Sequence, residues 1–365
     1  MKFSAASAFL IAALCIAPLR ADSFDDLAAK AAAARDADQI PQAVDLYRQA
    51  LQLKPAWAEG WWFLGTLLYD SDQYAPGRDA FASFVKLQDN APPGFALLGL
   101  CEFQLAAYPD ALSHLQKALS SGSGLEPQVE QVVRFHQAMT LTKLGLFDQA
   151  IHEYLWFPAH GVKEQTMLLG LGLASLRTAL LPKDLSADQA PIMAAAGAIA
   201  YAWMSGDVAG ADTGFHELVA HYPTAPNVHY FYGSFLLDTH PVEAIAELER
   251  ELQNDPGNAY ASGLLALTMV RAGHQDEAES MARKAATNHP EASVAQYVYG
   301  LILSRSGDKS AIEYLEKATQ LDPVNIDYHV ALAGAYSKFG RNDDAYRERV
   351  ATIALARGTD PRAHH

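Results

Sequence analysis

An all-α solenoid of antiparallel helix pairs is the fold this sequence predicts, on three observations. The first is a 34-residue period. Trp61, Leu64, Gly65, Tyr74, Gly77, Phe81 and Phe84 are followed 34 residues on by Phe95, Leu98, Gly99, Tyr108, Ala111, Leu115 and Ala118. A unit of that length holds two helices and cannot bury its apolar faces alone, so units stack. The second is punctuation. Gly145, Gly206, Gly273, Gly307 and Gly340 fall where a helix must stop and a left-handed residue is needed. Pro55, Pro223, Pro256, Pro290 and Pro323 follow second helices, which they cannot continue. The third is apolar spacing. In ASGLLALTMV and ALAGAYSKF, apolar and small residues recur at i, i+3, i+4 and i+7. Sustained β-branched alternation is missing, so no extensive sheet is expected.

Residues 1–21 read as a secretory signal. Lys2 gives a positive start, Phe9 to Ile16 an apolar stretch too short to span a bilayer, and Leu19-Arg20-Ala21 a cleavage site. Cys15 follows the bulky Leu14, which argues against a lipid anchor. The first repeat is degenerate, but its second helix is marked by Ala43, Tyr47, Ala50 and Pro55. Units two and three are the pair quoted above. The fourth, with Ala138, Leu141, Phe147, Ala150 and Tyr154, is displaced by the turn Ser120–Gly124. After Phe157 the register fails, and a helix over Met167–Leu180 is left without a matched partner. The segment 181–191, with Pro182 and Pro191, reads as a joint between an N-terminal block (22–180) and a C-terminal block (192–355). The second block carries Gly206, Ala211, Phe215, then Gly233, Ala244, Leu248, then Gly273, Ala278, Ala282, then Gly300, Ala311, Leu315, then Tyr336, Gly340, Ala345. Residues 356–365 form a tail.

Over residues 24 to 355 this pattern resembles the tetratricopeptide repeat (TPR). The resemblance rests on a bulky residue and Leu-Gly in the first helix, small or bulky residues in the second, and Pro after it. It implies a right-handed superhelix whose first helices line a concave groove. It also implies protein or peptide partners. Chaperone-binding members of that family hold a carboxylate with Lys and Asn at set groove positions. Here those positions hold Trp62, Ala96 and Phe135, so a chaperone tail is not the expected ligand.

The formal charge is −15, which becomes −17 once Lys2 and Arg20 leave with the signal. Such a chain repels nucleic acid and anionic membrane. At 50% hydrophobic residues it can bury a continuous core. Without the signal one cysteine is left, Cys101, in the apolar run LLGLCEFQL. It reads as a small core residue.

The sharpest catalytic motif is HELVAH, His216 to His221. The zinc-binding form places two histidines four residues apart on one helical face. Here they are five apart, with Ala220 where the second ligand should be, so no metal is expected. No phosphate loop, nucleophile elbow or CxxC pair is present.

Aromatic residues divide into two columns. Trp61, Tyr74, Phe81, Phe95, Tyr108 and Phe215 take core positions. Trp62, Tyr69, Phe103, Phe135, Trp203, Tyr230, Tyr260 and Tyr297 fall at first-helix positions which, by the resemblance, face the groove and could anchor a peptide. Arg271, Arg305 and Lys338 recur late in three successive first helices, with Lys143 equivalent in the first block. They form either a basic ladder for acidic partners or cations favoured by the helix dipole. The expectation is therefore a non-catalytic binding scaffold without cofactor or stable membrane insertion, exported to the periplasm or envelope. The alternatives are a structural subunit of an envelope secretion, pilus or outer-membrane assembly, and an unrecognised enzyme.

Overall fold

The computed structural model describes residues 22–120 and 125–359, with side chains to residue 357. The expected signal (1–21), most of the Ser120–Gly124 turn and the end of the tail lie outside the described residues. Those described form consecutive helix pairs: α1 (Phe24–Asp36) and α2 (Ile40–Leu53), α3 (Ala58–Asp70) and α4 (Tyr74–Leu87), α5 (Pro92–Gln104) and α6 (Tyr108–Ser120). Next come α7 (Pro127–Lys143), α8 (Phe147–Tyr154), the single turn α9 (Trp156–Ala159) and α10 (Gln165–Ser175). A 3-10 turn at Pro182–Asp184 precedes α11 (Gln189–Met204) and α12 (Val208–His221), then α13 (Val228–Leu236) and α14 (Pro241–Asn254). The array ends with α15 (Ala259–Ala272), α16 (Gln275–Asn288), α17 (Ser293–Ser306), α18 (Ala311–Leu321), α19 (Ile326–Lys338) and α20 (Asn342–Thr359). Among the described residues there is no strand.

The chain divides into two compact units between Gly94 and Phe95. In the first, Ser23 and Asp26 make a reciprocal capping box that starts α1. Ala31, Ala43 and Ala50 are fully buried around Tyr47, so helices approach closely about one large ring. Gly65 lies against the ring of Phe81, where a Cβ would come within 2.7 Å. The same contact recurs in the second unit as Gly99 on Leu115, Gly233 on Leu248 and Gly300 on Leu315. This is the physical content of the Leu-Gly repeat: the missing Cβ admits the neighbouring second helix.

The turns within pairs also repeat. Gly145, Gly206, Gly273, Gly307 and Gly340 all have positive φ, as expected. Asp38, Asp72, Ala106 and Arg177 adopt the same left-handed conformation at φ 49–58° without being glycine, at a cost of about 1–2 kcal/mol each.

One expectation is corrected. The helix over Met167–Leu180 has a partner: α10 packs on α11. Gly172 and Gly197 face each other so closely that a Cβ on either would fall within 1.9 Å of a backbone oxygen across the interface. A contact made by backbone leaves no bulky periodicity to read. A single core runs from Ala138 to Ala244, on both sides of residues 181–191. Cys101 is fully buried, as a core residue should be.

Candidate functional site

The first-helix aromatics meet three different fates. In the first unit, Trp62 and Tyr69 sit two turns apart on α3, and both are half-buried. The Trp62 ring lies 5.2 Å from Phe84 and 5.9 Å from Phe81, and Tyr69 meets Tyr74 edge-on at 5.6 Å. Each ring is thus packed against a neighbouring ring and only partly covered. Trp61, expected in the core, is also half-buried, with its indole N–H donating to the Pro55 carbonyl at 2.8 Å.

In the second unit, Phe103 on α5 is buried and Phe135 on α7 is half-buried beside it. Phe103 is buried together with Ala111, Met139 and Leu181, and Tyr108 and Phe135 pack against this group. His136 stands edge-on to Phe103 at 4.9 Å, and burial pushes its pKa down. The cover comes from the chain segment after α10. Leu181 is 2% exposed, and Asp184 reaches Lys143 at 3.7 Å. Burial, reinforced by Asp184, raises the Tyr108 hydroxyl pKa.

Tyr230 and Tyr260 belong to a third arrangement, centred on Arg177. The Arg177 side chain is 6% exposed. Its Nη2 donates to Asp148 Oδ1 at 2.5 Å and to the Tyr230 hydroxyl at 2.9 Å. The guanidinium lies 3.6 Å from the centre of the Tyr260 ring, and the Tyr230 and Phe147 rings stand farther off. Burial works against its charge, but Asp148, Tyr230 and Tyr260 outweigh burial and raise its pKa. Asp148 Oδ2 accepts from Ser293 Oγ at 3.1 Å, and Gln149 Nε2 donates to the Leu321 carbonyl at 3.2 Å. The start of α8 is thereby tied to the start of α17 and the end of α18. Asp322 is 1% exposed, and neither carboxylate oxygen has a well-formed hydrogen bond; Asn325 and the Val324 amide are only in loose reach. Burial, together with the charge of Asp148, pushes its pKa up to about 6. A cavity of about 40 Å³ beside Asp148, Tyr260 and Ser293 leaves room for water next to this cluster.

The aromatics therefore do not form one open column. Tyr230 and Tyr260 are used internally, and Tyr297 packs tilted against Tyr328 at 4.6 Å between ring centres. Trp203 is 38% exposed, with its edge against Phe235 at 5.3 Å. Of the basic ladder, Arg271, Arg305 and Lys338 are all exposed. Arg271 pairs with Asp238 at 2.6 Å, and Lys338 donates to the Ser304 carbonyl in the last turn of α17. Lys338 thus fits the helix-end reading. Arg271 and Arg305 both lie near enough to the Tyr297 hydroxyl to lower its pKa, against the stronger effect of burial. The histidines of HELVAH have separate partners: His216 Nε2 meets the Tyr232 hydroxyl at 3.2 Å, and His221 Nδ1 the Glu217 carbonyl at 2.8 Å. Among the described residues no three of His, Cys, Asp and Glu gather to hold a metal.

Sequence reasoning missed Arg177. A signal existed: it stands at a turn position where five other turns use glycine. It also missed two matching histidine clamps. His229 bridges Glu247 at 2.6 Å and the Pro223 carbonyl at 2.8 Å, and His329 bridges Glu348 at 2.6 Å and the Pro323 carbonyl at 2.9 Å. The recurrence of Pro followed six residues later by His could have revealed them.

No family model matches the chain, and no curated protein does either. Solved structures do. A crystal structure of MamA is 21% identical over 43% of this chain and 94% of that one, with a TM-score of 0.34. MamA residues 41-end from Desulfovibrio magneticus RS-1 match at 20% identity over 46% of this chain and 97% of that one, TM-score 0.35. The APC/C hetero-tetramer Cut9-Hcn1 matches over 92% of this chain and 66% of that one, at 15% identity and TM-score 0.40. At those scores the superpositions are loose, and the repeat architecture stands on this chain's own paired helices.

Proposed function

We propose that this chain is a non-catalytic scaffold that holds a protein segment on the first-helix face of its repeats. The observation that carries this reading is Trp62: half-exposed, yet fixed by Phe81 and Phe84. A large ring already held in place loses little entropy on contact, which is what a binding anchor requires. The net charge of −15 favours neutral or basic partners over nucleic acid. No helix of the described residues is long and apolar enough to cross a membrane. The test is affinity capture from envelope extracts with the wild-type chain and a Trp62→Ala, Tyr69→Ala variant. A partner retained equally by both contradicts the reading.

Export to the periplasm or envelope rests on residues 1–21 alone. It is tested by fusing that segment to a reporter active only outside the cytoplasm. A second reading, a subunit of a larger envelope assembly, is favoured by α20. Its outer side carries Tyr346, Val350 and Ile353, all exposed at i, i+4 and i+7. Co-purification in a stable multi-subunit complex would select it. The two-block division is also a proposal. Cleavage at the exposed Lys183 should yield two fragments that each stay helical once separated, and unfolding on separation counts against it.

A further inference from the structure

The segment between α10 and α11 is held to the rest of the fold in an unusual way. Leu181 is almost fully buried against Phe103, Ala111 and Met139, while Lys183, Asp184, Ser186, Ala187 and Asp188 are exposed. The backbone hydrogen bonds of Leu180, Asp184 and Leu185 stay within the segment, to Thr178, Leu181 and Pro182. The Leu181 amide turns to Asp184 Oδ2 at 3.4 Å. Leu181 and Leu185 flank the 3-10 turn in extended conformations. The strap is therefore attached by the buried Leu181, by Leu180 and Leu185 half-buried against the neighbouring core, and by one loose ion pair, Asp184 to Lys143 at 3.7 Å. Beneath it lies an aromatic and thioether surface with a cation at its edge. That is the composition of a peptide-binding site, built from the first helices to which the proposed function assigns binding.

We propose that residues 180–185 are a built-in stand-in for an external ligand. The α5–α7 face takes a partner segment with a leucine-like anchor and a carboxylate three residues later, and this segment displaces the strap. The proposal rests on the scaffold reading and adds the partner's chemistry. Leu181 marks the anchor pocket between Phe103 and Met139. Lys143 marks the place of the carboxylate. A site occupied in cis has its apparent affinity reduced by the fraction of molecules in which it is open, so a partner binds only when it outcompetes the strap.

The test uses the full chain and a labelled decapeptide of residues 179–188, ALLPKDLSAD, supplied in trans. No natural partner is needed, so failure to capture one from extracts leaves the result unaffected. Wild type should bind the peptide weakly. Asp184→Ser, at an exposed position, should bind several-fold tighter, because the cis strap loses its ion pair. Leu181→Ser with Asp184→Ser should bind about tenfold tighter or more. Adding Lys143→Glu should abolish that gain, and a peptide carrying Asp184→Lys should restore it. If the double variant keeps wild-type helicity and binds no tighter than wild type, the proposal is overturned. If the double variant does not fold, Asp184→Ser decides alone, and an unchanged affinity overturns the proposal equally.

Discussion

The Trp62 face of the first unit and the Arg177 centre of the second each use an aromatic three residues before a crossing glycine, Trp62 before Gly65 and Tyr230 before Gly233, and the two end in opposite states. Trp62 stays partly exposed, and the residues packed on it are the apolar rings of Phe81 and Phe84, which ask nothing polar of it. Tyr230 and Tyr260 are consumed because a charged side chain enters from the turn after α10 and needs partners. A buried guanidinium demands acceptors and π-faces, and the nearest first-helix tyrosines supply both. Position on a repeat therefore nominates a binding residue. What the neighbouring turn contributes decides whether that residue is available.

The largest expected effect lies at the closed centre. Arg177→Ala removes a buried cation and leaves Asp148, 30% exposed, and the Tyr230 hydroxyl without their shared donor; it should destabilise the chain by roughly 2–4 kcal/mol, measured by denaturant unfolding. Arg177→Gly should lose about 1 kcal/mol less, because glycine relieves the positive φ. A loss below about 1 kcal/mol in both would mean the centre is not a structural clasp.

The second effect concerns pH. The Asp322 carboxyl titrates at about 6 in the folded chain, above its ordinary 3.8. The folded state thus holds this proton more tightly. The group's contribution is full below about pH 4 and is lost as pH rises through 6. Asp322→Asn should therefore raise stability at pH 8 by about 1–3 kcal/mol and flatten the profile between pH 4 and 7. His229, whose pKa is raised chiefly by its hydrogen bond to Glu247, against the effect of burial, acts in the same direction. Its contribution is complete below about 6.5 and falls away as pH rises through its higher folded value. A stability that increases from pH 5 to 8 would contradict both assignments.

The helix pairs, the glycine stops and the Leu-Gly crossings were all legible in the sequence, because each depends on one residue type at one spacing. Gly65 and Gly300 do what the repeat says they do. The α10–α11 contact was not legible, since Gly172 and Gly197 pack through backbone. Nor was the burial of Phe103. That depends on Leu181 folding back across helices far from it in the chain. The division at Gly94 falls on Pro92-Pro93-Gly94 in the first turn of α5, which the 34-residue period runs through unbroken, whereas the proline-marked segment 181–191 lies beside a continuous core.

The smallest expected effect is at the cations. Reversing Arg271, Arg305 and Lys338 to Glu should cost only about 0.3–1 kcal/mol per site in helix-end interactions. Binding of an acidic partner, if it uses the Arg271 and Arg305 flank of Tyr297, should be lost and should weaken with salt in the wild type. Unchanged binding with no salt dependence would leave these cations a helix-end role alone.

The comparison between the open and the closed face is tested most directly by running two variants through the same paired assay of melting temperature and partner capture. Trp62→Ala with Tyr69→Ala should lose the partner while keeping most of its stability. Tyr230→Phe should lose about 1.5–3 kcal/mol, the worth of a hydrogen bond to a charged group, and retain the partner in full. Loss of the partner by Tyr230→Phe, with full retention by the Trp62 and Tyr69 variant, would contradict the account.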